Sequence, residues 1–451
     1  MTFQEFKKEL FAQAEANGFS DYEILFLGSD GFSVRVLNGE ITEYKSTASQ
    51  GVGFRGTIGG KMGYASSEKM DASVIGQMLE NAATNASIIE EEEIEKLYHG
   101  DKSYPEVNAY NPALNEVSAS DKIKWALEME SYAKSLDPRV KMADFCTIGN
   151  AESEMLMANS YGLNLSQKRN MASATIFARV AENGIMKSSM EYWTGRDFGE
   201  FDYKALAEKA VEDALSYLGA ESIPTGAYTI AFDNDSAKDL FAVFSGIFMA
   251  ENAQKGFSLL SNDKVGTEIA VPHITLRDDG VCKKSLGSIA FDAEGVATQQ
   301  KAIIENGVLK TLLYNLKSAA KDGVKSTGNA SKAGLGGAIG TSCTNYYLVP
   351  SETSFDEMIS GVEKGVIITG MAGLHSGINP VSGDFSVSAD GFLIENGKKT
   401  KPVEQITIAG NFYDVLKNIT AVGSDLRFHS MGQGGIGMPS ILVEGIRVSG
   451  L

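Results

Sequence analysis

The chain has 451 residues, enough for two or three domains with sizeable cores at roughly 150 residues each. Its 43% apolar and 22% charged residues, 48 glycines and 9 prolines mark a globular chain, and no apolar stretch nears the roughly 20 residues of a membrane span. With 58 acidic against 40 basic side chains and a net charge of -18, the surface repels phosphate backbones on average, which argues against nucleic acid as a direct partner.

Residues 1–18 place charges among their apolar positions, unlike a signal peptide, so the expectation is mature structure in the cytoplasm with no membrane attachment. Thr2 and Glu5 have capping-box spacing, Phe3, Phe6, Leu10 and Phe11 form an apolar stripe, and Gly18 is a stop, which together predict a first helix. Segments 22–28 and 32–44 alternate as strands, with a hairpin turn at Asn38-Gly39. Gly51, Gly53 and Gly56 have G-x-G-x-x-G spacing, but Gly59-Gly60 follows where a dinucleotide site needs a helix, so a glycine-rich hairpin is expected.

A helix at about 72–85 closes this unit, and the run Glu90 to Glu93, flanked by Ile88, Ile89 and Ile94, reads as a solvated segment. The polar stretch Tyr104 to Ser120 reads as a connector. Beyond it come a helix through Ile123, Ala126 and Leu136, strands meeting at Asn183-Gly184, and a helix ending at Gly219. After Pro224 the chain opens with strand 228–232 and a helix from about Ser236, then turns mostly to strand, with Asn306-Gly307 and Asn396-Gly397 as hairpin signals. A further helix starts at the Ser354 and Glu357 box, carries Val362 and stops at Gly365. The predicted class is α+β: an N-terminal helix and β-hairpin region (1–110), a middle α+β domain (111–222) and a mainly antiparallel β C-terminal domain (223–451).

Cys146, Cys282 and Cys343 are odd in number and far apart, which suits neither a disulfide framework nor a C-x-x-C site. His99, His273, His375 and His429 are all the histidines, and none lies within two helical turns of another. The spacing a helix-borne zinc site needs is therefore missing. The stretch 374–391 holds His375, Ser376, Asp384 and Ser386 without a G-x-S-x-G elbow, so a serine triad is not supported. With Gly377, Asn379-Pro380, Gly383 and Gly391 it reads either as a loop lining a cleft or as a structural turn.

The blocks at 291–330, 344–350, 373–428 and 438–450, together with GVGFRG in the first hairpins, resemble the TldD/PmbA family over nearly the whole chain. In TldD-type members of that family an H-E-x-x-x-H helix and a C-terminal cysteine bind the metal. The resemblance places that helix at 239–251, with Ala242 and Ile247 at the histidine positions and Val243 at the glutamate, and 428–440 has no cysteine. This matches the TldE/PmbA-type pattern. The resemblance implies a noncatalytic subunit that needs no cofactor of its own and pairs with a zinc-bearing TldD-type metallopeptidase, or with itself when isolated. Family members are linked to microcin-precursor processing and antitoxin removal, so an unfolded peptide is the implied substrate. The residues expected to face it are His375, Asn379 and Asp384, with Asn345. A self-sufficient hydrolase built from His375, Asp384 and His429, and a homodimeric adaptor, are the alternatives.

Overall fold

Thr2 caps the first helix as its spacing predicts: Glu5 N–H donates to its hydroxyl at 3.3 Å, and Thr2 N–H donates to the Glu5 carboxylate at 2.8 Å. The computed structural model describes residues 1–88, 95–430 and 434–451, so the acidic run Glu90 to Glu93 lies outside the described residues. Helix α1 (Phe3–Ala16) is followed by strands β1 (Asp21–Leu37), β2 (Glu40–Ile58) and β3 (Lys61–Ser67) and by helix α2 (Ile75–Ile88). The next elements are α3 (Ala113–Glu116), α4 (Ala119–Leu136), β4 (Val140–Asn159), β5 (Asn164–Glu182), β6 (Ile185–Gly195) and α5 (Tyr203–Ser216).

The six strands make one antiparallel sheet in the order β3-β2-β1-β4-β5-β6. It crosses the division expected near residue 110, because β1 pairs with β4 from Glu23 to Val36. The segments 22–28 and 32–37 form a single strand. Ser29, Asp30 and Gly31 between them stay in the ladder, opposite Ser49, Ala48 and Thr47 on one side and Ser153, Glu152 and Ala151 on the other.

Period-two alternation gives the sheet two different faces. Ile24 and Phe26 pack under α1 and α2, while Val34 and Val36 pack under α4 and α5, so all four long helices cover the same face. The opposite face, with Leu25 and Leu27, meets the C-terminal part of the chain at Leu335. Of the glycine motif, Gly51 and Gly53 belong to this second contact, while Gly56 lies on the helix-covered face. A Cβ on Gly53 would lie 2.4 Å from Leu335 O, and one on Gly56 would strike the Phe19 ring, so these glycines permit close packing and make no phosphate cradle.

The remainder contains β7 (Gly226–Ala227), β8 (Thr229–Phe232), α6 (Asn234–Phe244), α7 (Ala250–Gln254), β9 (Leu276–Asp279), β10 (Gln300–Glu305) and β11 (Val308–Leu309). It continues through α8 (Leu316–Asp322), β12 (Ala330–Lys332), β13 (Ile339–Thr341), β14 (Asn345–Leu348), α9 (Phe355–Ile359), β15 (Lys364–Ala372), β16 (Asp384–Glu395) and β17 (Lys398–Asn411). It ends with α10 (Phe412–Asn418), β18 (Ile419–Val422), β19 (Arg427–Ser430), β20 (Gly435–Met438), β21 (Ile441–Val443) and β22 (Arg447–Ser449). An eight-stranded sheet (β18-β21-β8-β15-β16-β17-β22-β7) and a six-stranded one (β11-β10-β9-β14-β20-β19) enclose the largest core. Among the described strands, pairing is antiparallel except β8 with β15 and β14 with β20, which agrees with the α+β class. Helix α9 stops at Ile359, so Val362 follows the helix and does not belong to it.

Candidate functional site

Helix α6 forms because Asp233 caps it, accepting from Ser236 N–H at 2.8 Å, and because Ala237, Leu240, Phe241 and Phe244 repeat at helical spacing on its buried face. Phe244 stacks on Phe412 at 4.7 Å and Phe241 meets the same ring edge-on at 5.1 Å. The expected single helix over 239–251 is broken. α6 ends at Phe244, a 3₁₀ turn covers Ser245–Phe248, and α7 starts at Ala250. The break is held by side chains that take backbone carbonyls: Ser245 Oγ donates to Ala242 O and Asn252 Nδ2 to Gly246 O, each at 2.8 Å. Ala242 and Val243 are half-buried on α6, and Ile247 is buried in the turn. Zinc needs nitrogen, sulfur or oxygen donors, and these three side chains are hydrocarbon. Among the described residues no three His, Cys, Asp or Glu side chains converge to hold a metal, so this helix does not fit a zinc ion.

His429, on β19, reaches the start of α6. Its Nε2 lies 2.8 Å from Asp235 Oδ1, yet off the direction a hydrogen bond requires, and neither ring nitrogen has a hydrogen-bond partner among the described residues. Arg427 Nη1 sits 3.2 Å from Asp235 Oδ2, so much of the aspartate's charge is already balanced. Burial therefore governs the imidazole and pushes its pKa down to about 4. Of the suggested grouping of His375, Asp384 and His429, the Asp384 carboxylate accepts from Ser382 and Asn411, and no hydrogen bond among the described residues joins it to His429.

The loop between β15 and β16, which ends at Asp384, leaves His375, Asn379 and Asp384 exposed. Asn379 Oδ1 accepts from Val381 and Ser382 N–H at 3.0 and 3.2 Å, and Asn379 N–H donates to Asp384 O at 2.8 Å. Asn411 Nδ2 and Ser382 Oγ donate to Asp384 at 2.9 and 2.7 Å, and these bonds hold its carboxyl below the usual range. Asn379 and Asp384 thus fasten the loop to α10, whose Tyr413 packs on Gly383, while His375 is exposed. Asn345 lies apart from them. It is fully buried on β14, where its Nδ2 donates to Asp279 O at 2.6 Å and Ser288 Oγ at 3.0 Å, so it organises a core loop and faces no cleft.

A cleft of about 1500 Å³ opens where the middle of the chain meets loop 281–290. Its charged lining includes Glu106, Lys168, Arg196, Asp197, Lys283 and Lys284. Arg196 holds its walls together: Nε donates to Ala109 O at 3.1 Å and Nη2 to Leu286 O at 2.7 Å. Sequence reasoning missed this site. Its wall at 105–112 reads only as a polar connector, and residues 284–290 carry no recognisable motif.

A six-stranded sheet shared by the first two sequence units and a two-sheet C-terminal part make a three-part α+β architecture. The descriptions "PmbA/TldA metallopeptidase" domain 1, central domain and C-terminal domain match residues 22–86, 112–218 and 225–450. The chain belongs to the PmbA/TldD family. It is 28% identical over 444 residues to the metalloprotease PmbA of Escherichia coli O157:H7, covering 96% of this chain and 94% of that protein. A crystal structure from Thermotoga maritima, described as a putative modulator of a DNA gyrase, superposes with a TM-score of 0.88 at 32% identity, covering 99% of this chain and all of that one. TldE from Thermococcus kodakarensis has the same fold, with a TM-score of 0.89 at 23% identity over 99% of this chain and all of that one.

Proposed function

We propose that this chain is the noncatalytic, TldE/PmbA-type subunit of a cytoplasmic heterodimeric metallopeptidase, with the zinc held by a TldD-type partner and an unfolded peptide as substrate. The observation that carries this reading is the hydrocarbon set Ala242, Val243 and Ile247 at the metal-helix positions, where neither a ligand nor a proton acceptor is present. The helix keeps its place in the core through Phe241 and Phe244, so the scaffold persists without the chemistry. The metalloprotease names of the relatives support the peptidase setting. This subunit's contribution is to enclose and guide the peptide, for which the junction cleft supplies the room.

Cleavage of an unfolded peptide, measured for this chain alone and in equimolar mixture with a TldD-type subunit, with and without a chelator, tests the reading. Chelator-sensitive cleavage is expected in the mixture only. Cleavage by the chain alone overturns it.

A further inference from the structure

The face of the N-terminal sheet that meets the C-terminal domain is not covered throughout. Gly28 stands opposite Gln50 and Glu154, and Glu154 stands opposite Lys168, so four neighbouring strands share one level. At that level a groove of about 430 Å³ runs across the strands, lined among others by Leu27, Ser49, Met155, Gln167, Arg169 and Leu335. Gln167 also lines the 1500 Å³ junction cleft, so the two cavities meet at this side chain. Its Oε1 accepts from Ala290 N–H at 3.1 Å. Its Nε2 is buried and has no hydrogen-bond partner among the described residues. A buried donor left unpaired beside a cavity is a place for an acceptor.

We propose that groove and cleft form one trough in which an unfolded peptide lies extended across the strands, with Gln167 Nε2 donating to a backbone carbonyl of the peptide. This rests on the reading of the chain as a peptide-handling subunit and names where the peptide lies. The far end of the groove reaches exposed Ser49 and Gln50, and the cleft ends at exposed Lys283 and Lys284, so a chain can lie along it past both ends. Leu27, Met155 and Leu335 offer apolar walls that accept varied side chains, while the amide recognises a carbonyl that every residue carries. Three strand spacings from β2 to β5 span roughly 14 Å, the length of about four extended residues.

The test is photo-crosslinking on the full chain, alone and with its TldD-type partner. A photoreactive amino acid is placed at Ser49 or, separately, at Lys284, and the probe is a fluorescent unfolded peptide of twenty residues. Capture from both positions is expected. Gln167→Trp, which fills the neck, is expected to cut capture at position 49 and to weaken binding by anisotropy about tenfold, and Gln167→Leu, which removes only the amide, several-fold. Thermal melts check that each variant folds, and the leucine variant carries the test if the tryptophan variant does not. No capture at position 49 in the parent chain, or capture undiminished by both variants, overturns the trough. Chelator-sensitive cleavage in the mixture without capture at position 49 leaves the subunit reading standing and removes the trough. Capture at both positions without any cleavage in the mixture does the reverse.

Discussion

At residue scale, His429 links the C-terminal strands to Asp235 at the start of α6. Its imidazole is depressed from the ordinary 6.5 to about 4 by burial, so the unfolded chain binds the proton more readily than the folded one. Its contribution to stability is therefore present above pH 6.5 and is lost as pH falls through that window toward 4. Replacing it by His429→Asn is expected to flatten the acid side of the stability profile between pH 6.5 and 4, measured by urea denaturation across pH. An unchanged slope would show that the group does not govern this limb. Residue roles were the least legible part of the sequence. Asn379 and Asp384 read as site residues because they are polar and clustered, and in the fold Asn379 also turns the loop by Asx-type bonds while Asp384 bonds to Ser382 and Asn411. Asn345 looks alike and is buried, because its partners, Asp279 and Ser288, come from 66 and 57 positions away. Gln167 carries no motif at all, since its significance lies in where two cavities meet.

At element scale the sequence was far more readable, because turns and caps are local chemistry. The pairs Asn38-Gly39, Asn183-Gly184, Asn306-Gly307 and Asn396-Gly397 all make hairpin turns, with both residues of each pair at positive φ, from 50° to 82°. The Ser354 and Glu357 box caps α9 as read. What local chemistry does not reveal is where a helix breaks when distant groups take part, as at 245–248, where Leu313 N–H donates to Phe248 O at 2.8 Å and Ala250 N–H to Leu313 O at 2.9 Å. The α6 helix depends on its aromatic stack more than on its own propensity. Phe244→Ala is expected to cost about 3–5 kcal/mol, through lost burial and the cavity left against Phe412. Denaturant unfolding measures this, and a loss under about 1 kcal/mol would mean that the stack is dispensable.

At the scale of the whole molecule, the long strands bind the first two sequence units into one body. A fragment of residues 1–110 lacks β4, the neighbour that β1 pairs with from Glu23 to Val36, and is expected to show no cooperative melt. A fragment of residues 1–222 contains all six strands and the four covering helices, and is expected to melt cooperatively by circular dichroism. A cooperative melt of the shorter fragment would overturn this account.

The shared sheet also sets a timetable during synthesis. β1 is complete at Leu37, but β4 begins only at Val140, about a hundred residues later. At roughly 5–20 residues per second, one edge of β1 waits on the order of 5–20 s for its neighbour while the ribosome works through α2 and α4. During that interval Ile24, Leu25 and Phe26 belong to a strand that any other nascent chain could join. The yield of soluble protein should then depend on translation speed between residues 37 and 159 and on chaperones that hold the emerging chain.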